Sequence, residues 1–321
     1  MILGGNYAFG RHTGGSLDPI GLKLLTDLPS SIARIGLPLR KFHEIGDSGG
    51  VHEHFLALQQ HFTGFQTLLG SIWWIPTAWQ ESWLTVKPAH GGDLLDLLRR
   101  WVETAASYGI HLTALSFNEP NQGVKVKWTP ADLAQFIAQA TASIPVKWMV
   151  GDTSHPTACH PFLDAVLANP QAKANSYGVA WHTWAYPWAW KDEAAKRLSD
   201  RAHAESWPSW ATEVGVKSSY PLPYPWPTQG FADGIQQMLV RVRDSGADAA
   251  LYWQYSPDGP QDFPVLDATL SPYPIFHTLK AWTLPPPTPP PSPPADPRVT
   301  AKQKLLGLGL TSAEADVVIN N

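Results

Sequence analysis

Residues 94–120 read LLDLLRRWVETAASYGIHLTALSFNEP. Leu94, Leu97, Leu98, Trp101, Val102 and Ala105 recur at spacings of three and four, which predicts a helix with one buried stripe. Gly109 stands where such a helix ends, because glycine accepts the left-handed conformation that closes a final turn. The chain then changes period: Leu112–Phe117 is a short β-rich run, and it meets Asn118-Glu119-Pro120 without a spacer. A helix feeding a strand that ends on a carboxyl group is the unit from which the rest of the sequence is read.

The same alternation extends in both directions. Further strands are expected at Ile2–Tyr7, Ile32–Leu37, Phe65–Ile75, Val146–Val150, Val179–Trp184, Trp210–Val214 and Ala249–Gln254. Helices are expected near Leu17–Leu28, Val51–Phe62, Pro161–Leu167, Asp192–His203, Gly230–Asp244 and Tyr273–Trp282. One more begins with Thr129 as N-cap, Pro130 in the first turn and Asp132 three residues past the cap, and Leu133, Phe136, Ile137 and Ala140 form its buried stripe. Strict strand–helix alternation argues for a parallel sheet, since each parallel crossover needs a covering element. Eight units over residues 1–283 fit a closed (β/α)8 TIM barrel, for which about 250 residues is typical. A doubly wound open sheet would want a glycine-rich phosphate turn after an early strand, and none has the required spacing.

Composition narrows the partners. The 321 residues carry a formal net charge of -4 and 44% hydrophobic residues, with one cysteine, 16 tryptophans and 31 prolines. There is no basic excess to attract nucleic acid, and no apolar run approaches the roughly 18 residues needed to cross a membrane. Cys159 has no disulfide partner. No signal peptide is legible at the N-terminus, so localisation stays open. Residues 284–298 form a Pro-rich linker that suits a stiff spacer. Residues 299–321 read as a short helical C-terminal segment, broken near Gly307 and Gly309 with Thr311 as a cap. That segment is too small to bury much surface alone, and docking on the barrel, another subunit or an assembly is its expected role. Trp73, Trp74, Trp79, Trp83, Trp184, Trp188, Trp190 and Trp226 lie beside turn residues, where flat rings suit either rim packing or stacking on sugar faces.

In a barrel of this kind the chemistry sits at the C-terminal ends of the strands. The fourth strand delivers Glu119 there, and the seventh delivers Glu213 in Thr212-Glu213-Val214-Gly215. Two carboxyl groups converging on one mouth are what glycosidic cleavage needs, one to protonate the leaving oxygen and one to attack the anomeric carbon.

The pair Asn118-Glu119-Pro120 and Thr212-Glu213 resembles the retaining glycoside hydrolases of clan A, the 4/7 superfamily. The likeness spans the barrel from Asn6-Tyr7 to Tyr252-Trp253 and assigns no individual family. It implies Glu119 as general acid/base and Glu213 as nucleophile in the hydrolysis of a β-linked oligo- or polysaccharide of xylan or β-glucan type, without metal or other cofactor. It also implies that Arg34 braces the nucleophile, that His182 or Tyr186 lies beside it, and that Trp253 floors the sugar subsite. Trp184 is expected among the substrate contacts, and Asn118 should hydrogen-bond the sugar 2-hydroxyl. On this reading Arg34 and Asn118 keep Glu213 ionised, while Glu119 holds its proton in a drier, aromatic-walled setting. A polymer substrate points to extracellular action.

Other polar clusters carry less. His52-Glu53-His54 falls on a helix, where residues two apart diverge, so a solvated face is expected rather than a shared ion. Asp152, His155, Cys159 and His160 follow the fifth strand with spacing too loose for a zinc site, and an inert Cys159 is expected. No nucleophile elbow or Walker loop is present. The alternative function is a barrel that binds glycan without cleaving it, as a recognition or adhesion module. Transglycosylation shares the same covalent intermediate.

Overall fold

The computed structural model describes residues 1–7, 10–11, 14–80, 90–122, 126–140, 143–184, 186–215, 226–255 and 263–283. The Pro-rich stretch, the C-terminal segment and Trp83 lie outside these residues.

Strands buried on both faces are the sequence's main structural statement. In β2 (Ile32–Leu37) all six residues are buried. Alternate side chains point opposite ways, so Ala33, Ile35 and Leu37 join the large core that includes helical Phe55, Leu58, Leu98 and Trp101. Ile32 packs instead with Leu69, Ala114, Met149, Ala180, Trp210, Ala249 and Leu251, an apolar layer supplied by β2 to β8 inside the barrel. The remaining strands are β1 (Ile2–Tyr7), β3 (Thr67–Ile72), β4 (Ala114–Phe117), β5 (Lys147–Thr153), β6 (Ser176–His182), β7 (Ser209–Val214) and β8 (Ala249–Tyr252). They close in sequence order, all parallel, with Ile2 opposite Ala249 and Gly5 opposite Tyr252 sealing β1 to β8. The eight-strand barrel stands as expected.

Helices α1 (Pro19–Asp27), α2 (Leu39–Ile45), α3 (Gly49–Phe62), α4 (Gly91–Ser107), α5 (Pro130–Ala140), α6 (Pro156–Leu167), α7 (Pro170–Ala174), α8 (Asp192–Ala204), α9 (Gln229–Asp244) and α10 (Pro274–Thr283) alternate with the strands. The six apolar residues read from α4 are all buried, and Gly109 ends that helix at φ 75°, its N–H on Ala106 O at 2.9 Å. Thr129 caps α5 as expected, Oγ1 accepting from Asp132 N at 3.1 Å. Trp148 on β5 stacks on Phe117 of β4 at 5.5 Å and meets Phe136 of α5 edge-on at 5.6 Å, locking that helix to its strands.

Several expected bounds need correction. The fifth strand does not stop at Val150 but runs to Thr153 through an irregular register at Gly151. Helix α6 starts at Pro156, not Pro161; Pro156 supplies the first turn and His155 Nδ1 caps Ala158 N at 3.3 Å. The short helices α2 and α7 escaped the periodicity reading, since five to seven residues hold too few repeats to register. No helix among the described residues is long and apolar enough to cross a membrane.

Candidate active site

A polar layer lies above the apolar interior, built from inward residues near the C-terminal strand ends. Arg34 of β2 is 1% exposed and serves as its hub. Nη1 donates to Asn6 Oδ1 at 2.9 Å and Glu213 Oε1 at 2.8 Å, and Nη2 donates to Asn118 Oδ1 at 2.5 Å and Asp152 Oδ2 at 2.8 Å. One guanidinium therefore ties together residues from β1, β2, β5, β7 and the end of β4. Its planar fork is suited to this, because it presents several donors in fixed geometry.

Asp152 is the second hub. Its carboxylate accepts from Ser116 Oγ at 2.6 Å, Thr212 Oγ1 at 2.5 Å and His182 Nε2 at 3.1 Å, besides Arg34. Burial opposes its ionisation, but Arg34, His182 and Ser116 outweigh that and hold its carboxyl well below the ordinary range. Asp152 faces inward because Gly151 and Asp152 both take positive φ, 90° and 53°. A side chain added at Gly151 would collide with Cys159 Sγ. Asp152 was expected to follow the fifth strand; it lies within that strand and is a fully buried member of the charge network.

His182 stands between the carboxyls. Nδ1 lies 3.1 Å from Glu119 Oε1 and 3.2 Å from Glu213 Oε2. Burial lowers its pKa, but Glu213, Asp152 and Glu119 together push it up to about 9. An imidazolium with both nitrogens donating satisfies these contacts. Glu213, 3% exposed, also accepts from Trp184 Nε1 at 2.8 Å. Burial raises the Glu213 carboxyl above its ordinary value, His182 and Arg34 offsetting part of the rise. That reverses the expectation of a net lowering: the cations are present, but desolvation and the neighbouring carboxyls outweigh them. Glu119 also departs from expectation. Its side chain is 13% exposed against 4% for Glu213, so it is the wetter of the two. Its backbone is left-handed at φ 45°, and its N–H is fixed on Asp152 O at 2.9 Å.

One atom each of Glu119, His182 and Glu213 fall within 4.8 Å of one another. Three such groups can bind a metal only if the imidazole offers a lone pair. Here both ring nitrogens face carboxylate oxygens and the pKa is raised, so the trio fits an ion-pair network better than a ligand set.

Trp253 stacks on Trp73 at 5.3 Å, and the Arg11 guanidinium lies 4.6 Å from the Trp73 ring. Each of these tryptophans is 7% exposed, and the Trp253–Gln254 peptide is cis. Asn118 Nδ2 and Trp73 Nε1 are buried donors without a protein partner. Tyr186 is not part of this assembly: it packs on Trp190 at 4.8 Å and under Arg241 at 4.7 Å. The choice between His182 and Tyr186 therefore falls to His182. His54 is fully buried, contrary to the solvated face expected, because residues two apart on a helix point in nearly opposite directions; burial lowers its pKa to about 4. His52 is the exposed partner, its Nδ1 2.7 Å from Tyr108 Oη. Burial pushes the Cys159 thiol up to about 12, which leaves it unreactive.

No protein-family sequence profile and no curated protein sequence matches the chain. Solved structures do. A GH30 endoxylanase from Clostridium papyrosolvens matches with TM-score 0.70 and 17% identity, over 88% of this chain and 71% of that one. A GH39 β-xylosidase from Caulobacter crescentus matches with TM-score 0.61 and 18% identity, over 87% and 73%. A Cellulomonas fimi endo-β-1,4-mannanase double mutant matches with TM-score 0.61 and 12% identity, over 89% and 71%. The fold shared with these three glycoside hydrolases is the (β/α)8 barrel. At these identities the likeness is one of architecture and assigns no single family.

Proposed function

We propose that the chain is a retaining glycoside hydrolase acting on a β-linked glycan of xylan or β-glucan type. The observation that carries this reading is the convergence of Glu119 and Glu213 from separate strands on one imidazolium, with carboxylate oxygens within 4.8 Å. Retaining enzymes hold the two carboxyl groups about 5–5.5 Å apart, because one acts directly on the anomeric carbon with no intervening water. In the first step a Glu213 oxygen bonds to the anomeric carbon, the glycosidic C–O bond breaks, and Glu119 gives its proton to the departing oxygen. In the second, Glu119 takes a proton from water, the hydroxyl attacks the same carbon, and Glu213 leaves.

The surrounding residues have matching roles. Arg34 and Trp184 hold one oxygen of Glu213 each, which fixes the attacking group's orientation. Glu119 is the more accessible to a leaving group and to water. The unpartnered Nδ2 of Asn118 is suited to the 2-hydroxyl, a contact that strengthens as the transition state forms.

The neighbouring folds belong to proteins described as an endoxylanase, a β-xylosidase and an endo-mannanase, so xylan, β-glucan and mannan oligosaccharides form the test panel. Glu119→Gln and Glu213→Ala should each lower reducing-end release about 10²–10⁴-fold or more while the circular dichroism spectrum stays native. Full activity in Glu213→Ala protein would refute the assignment. Binding of a glycan by the wild-type chain with no cleavage would point instead to a non-catalytic recognition barrel.

A further inference from the structure

A cavity of about 540 Å³ opens beside the loop joining β6 to α8, and no residue of the carboxylate network lines it. Its wall includes Trp188, Trp190, Lys191, Glu193, Lys196 and Arg197. Trp188 is 63% exposed, whereas every other tryptophan among the described residues is buried or half-buried. An indole with this much exposure keeps apolar surface in water, and a flat ring matches the C–H face of a pyranose.

The charges beside the indole are unequal. Lys196 is neutralised by Asp200 at 2.8 Å. Lys191 and Arg197 have no ion-pair partner among the described residues, and Glu193 is the remaining acid of the wall. The local balance is therefore positive, on a chain whose formal charge is -4. Long-range attraction does not bring a polyanion to this protein; a local site must, since charge is screened beyond about 8 Å at physiological salt. The wall is also anchored to the carboxylate site. Trp190 Nε1 donates to Thr183 O at 3.4 Å and Trp184 O at 3.2 Å, and Trp184 in turn holds Glu213.

We propose that this cavity is a second glycan site, which stacks a pyranose on Trp188 and takes a carboxylate substituent on Arg197 and Lys191. For the sugar class the inference rests on the glycosidase reading; for the acidic preference it rests on the cavity alone. The site holds a stretch of chain remote from the cleaved bond, and it favours acidic over neutral glycans.

Native gels containing carboxymethylcellulose or hydroxyethylcellulose test this on the full chain, since the two polymers share a β-glucan backbone and differ in charge. Carboxymethylcellulose should retard the wild type more strongly than hydroxyethylcellulose does. Trp188→Ala should weaken retardation by both polymers about tenfold, a change of about 1.4 kcal/mol. Arg197→Gln should weaken only the carboxymethylcellulose effect, and Glu193→Gln should strengthen it. Melting curves check that each variant is folded. Equal retardation of wild type and folded Trp188→Ala by carboxymethylcellulose overturns the proposal, as does the absence of any retardation, or an Arg197→Gln protein that matches wild type. Because the gel reads retention and not turnover, its failure leaves the catalytic reading standing, and loss of that reading leaves the gel result intact.

Discussion

His182 is the residue on which the electrostatics of the mouth turn. Its pKa of about 9 lies above the ordinary imidazole value of 6.5, so the stabilisation it gives is complete below about pH 6.5 and fades as pH rises through 9. Wild-type protein should therefore lose melting temperature across that window, and His182→Asn protein should lose less. Catalysis depends on the same cation with a different sign of effect. Burial already raises Glu213, with His182 and Arg34 opposing. The acid limb of kcat/KM should thus lie above the ordinary glutamate range, and His182→Asn should move it further up. An acid limb that moves down in the variant would contradict the network described.

Much of the residue-scale arrangement was legible. Arg34, Asn118, Glu119, His182 and Glu213 were each named from a strand end, and the fold brings them within contact of one another. Asp152 was not, because the reading ended the fifth strand at Val150. The pair Gly151-Asp152 after an apolar run was the available signal: a glycine free to take positive φ can turn the next side chain inward. The wrong sign for Glu213 has a different cause, since sequence names neighbouring cations but does not weigh them against desolvation.

At the scale of elements, the irregular end of β5 does most to shape the site. Gly151 at φ 90° and Asp152 at φ 53° put a carboxylate under Arg34 and His182, and the carbonyl of Asp152 fixes the backbone of Glu119. Gly151→Ala should strain the left-handed backbone and press on Cys159 Sγ. We expect a loss of about 1–3 kcal/mol in stability, with a larger fall in kcat than in substrate binding, read from urea melts and steady-state kinetics. A variant with wild-type stability and kcat would show that the bulge is incidental. Helices α4 and α5 were readable for the opposite reason: Gly109 and Thr129 supply local end signals that no tertiary contact overrides.

At the scale of the molecule, order in the sequence carried the fold. Eight runs separated by helices close with each neighbour also the next in sequence, the order that keeps every crossover short.

The most direct test of the central claim is to trap the glycosyl-enzyme with a 2-deoxy-2-fluoro β-glycoside of the preferred sugar and map the label by mass spectrometry of peptides. The account predicts one added sugar, carried by the peptide containing Glu213 and absent from Glu213→Ala protein. A label on another carboxylate, or turnover of the parent glycoside with inversion at the anomeric carbon, would contradict it.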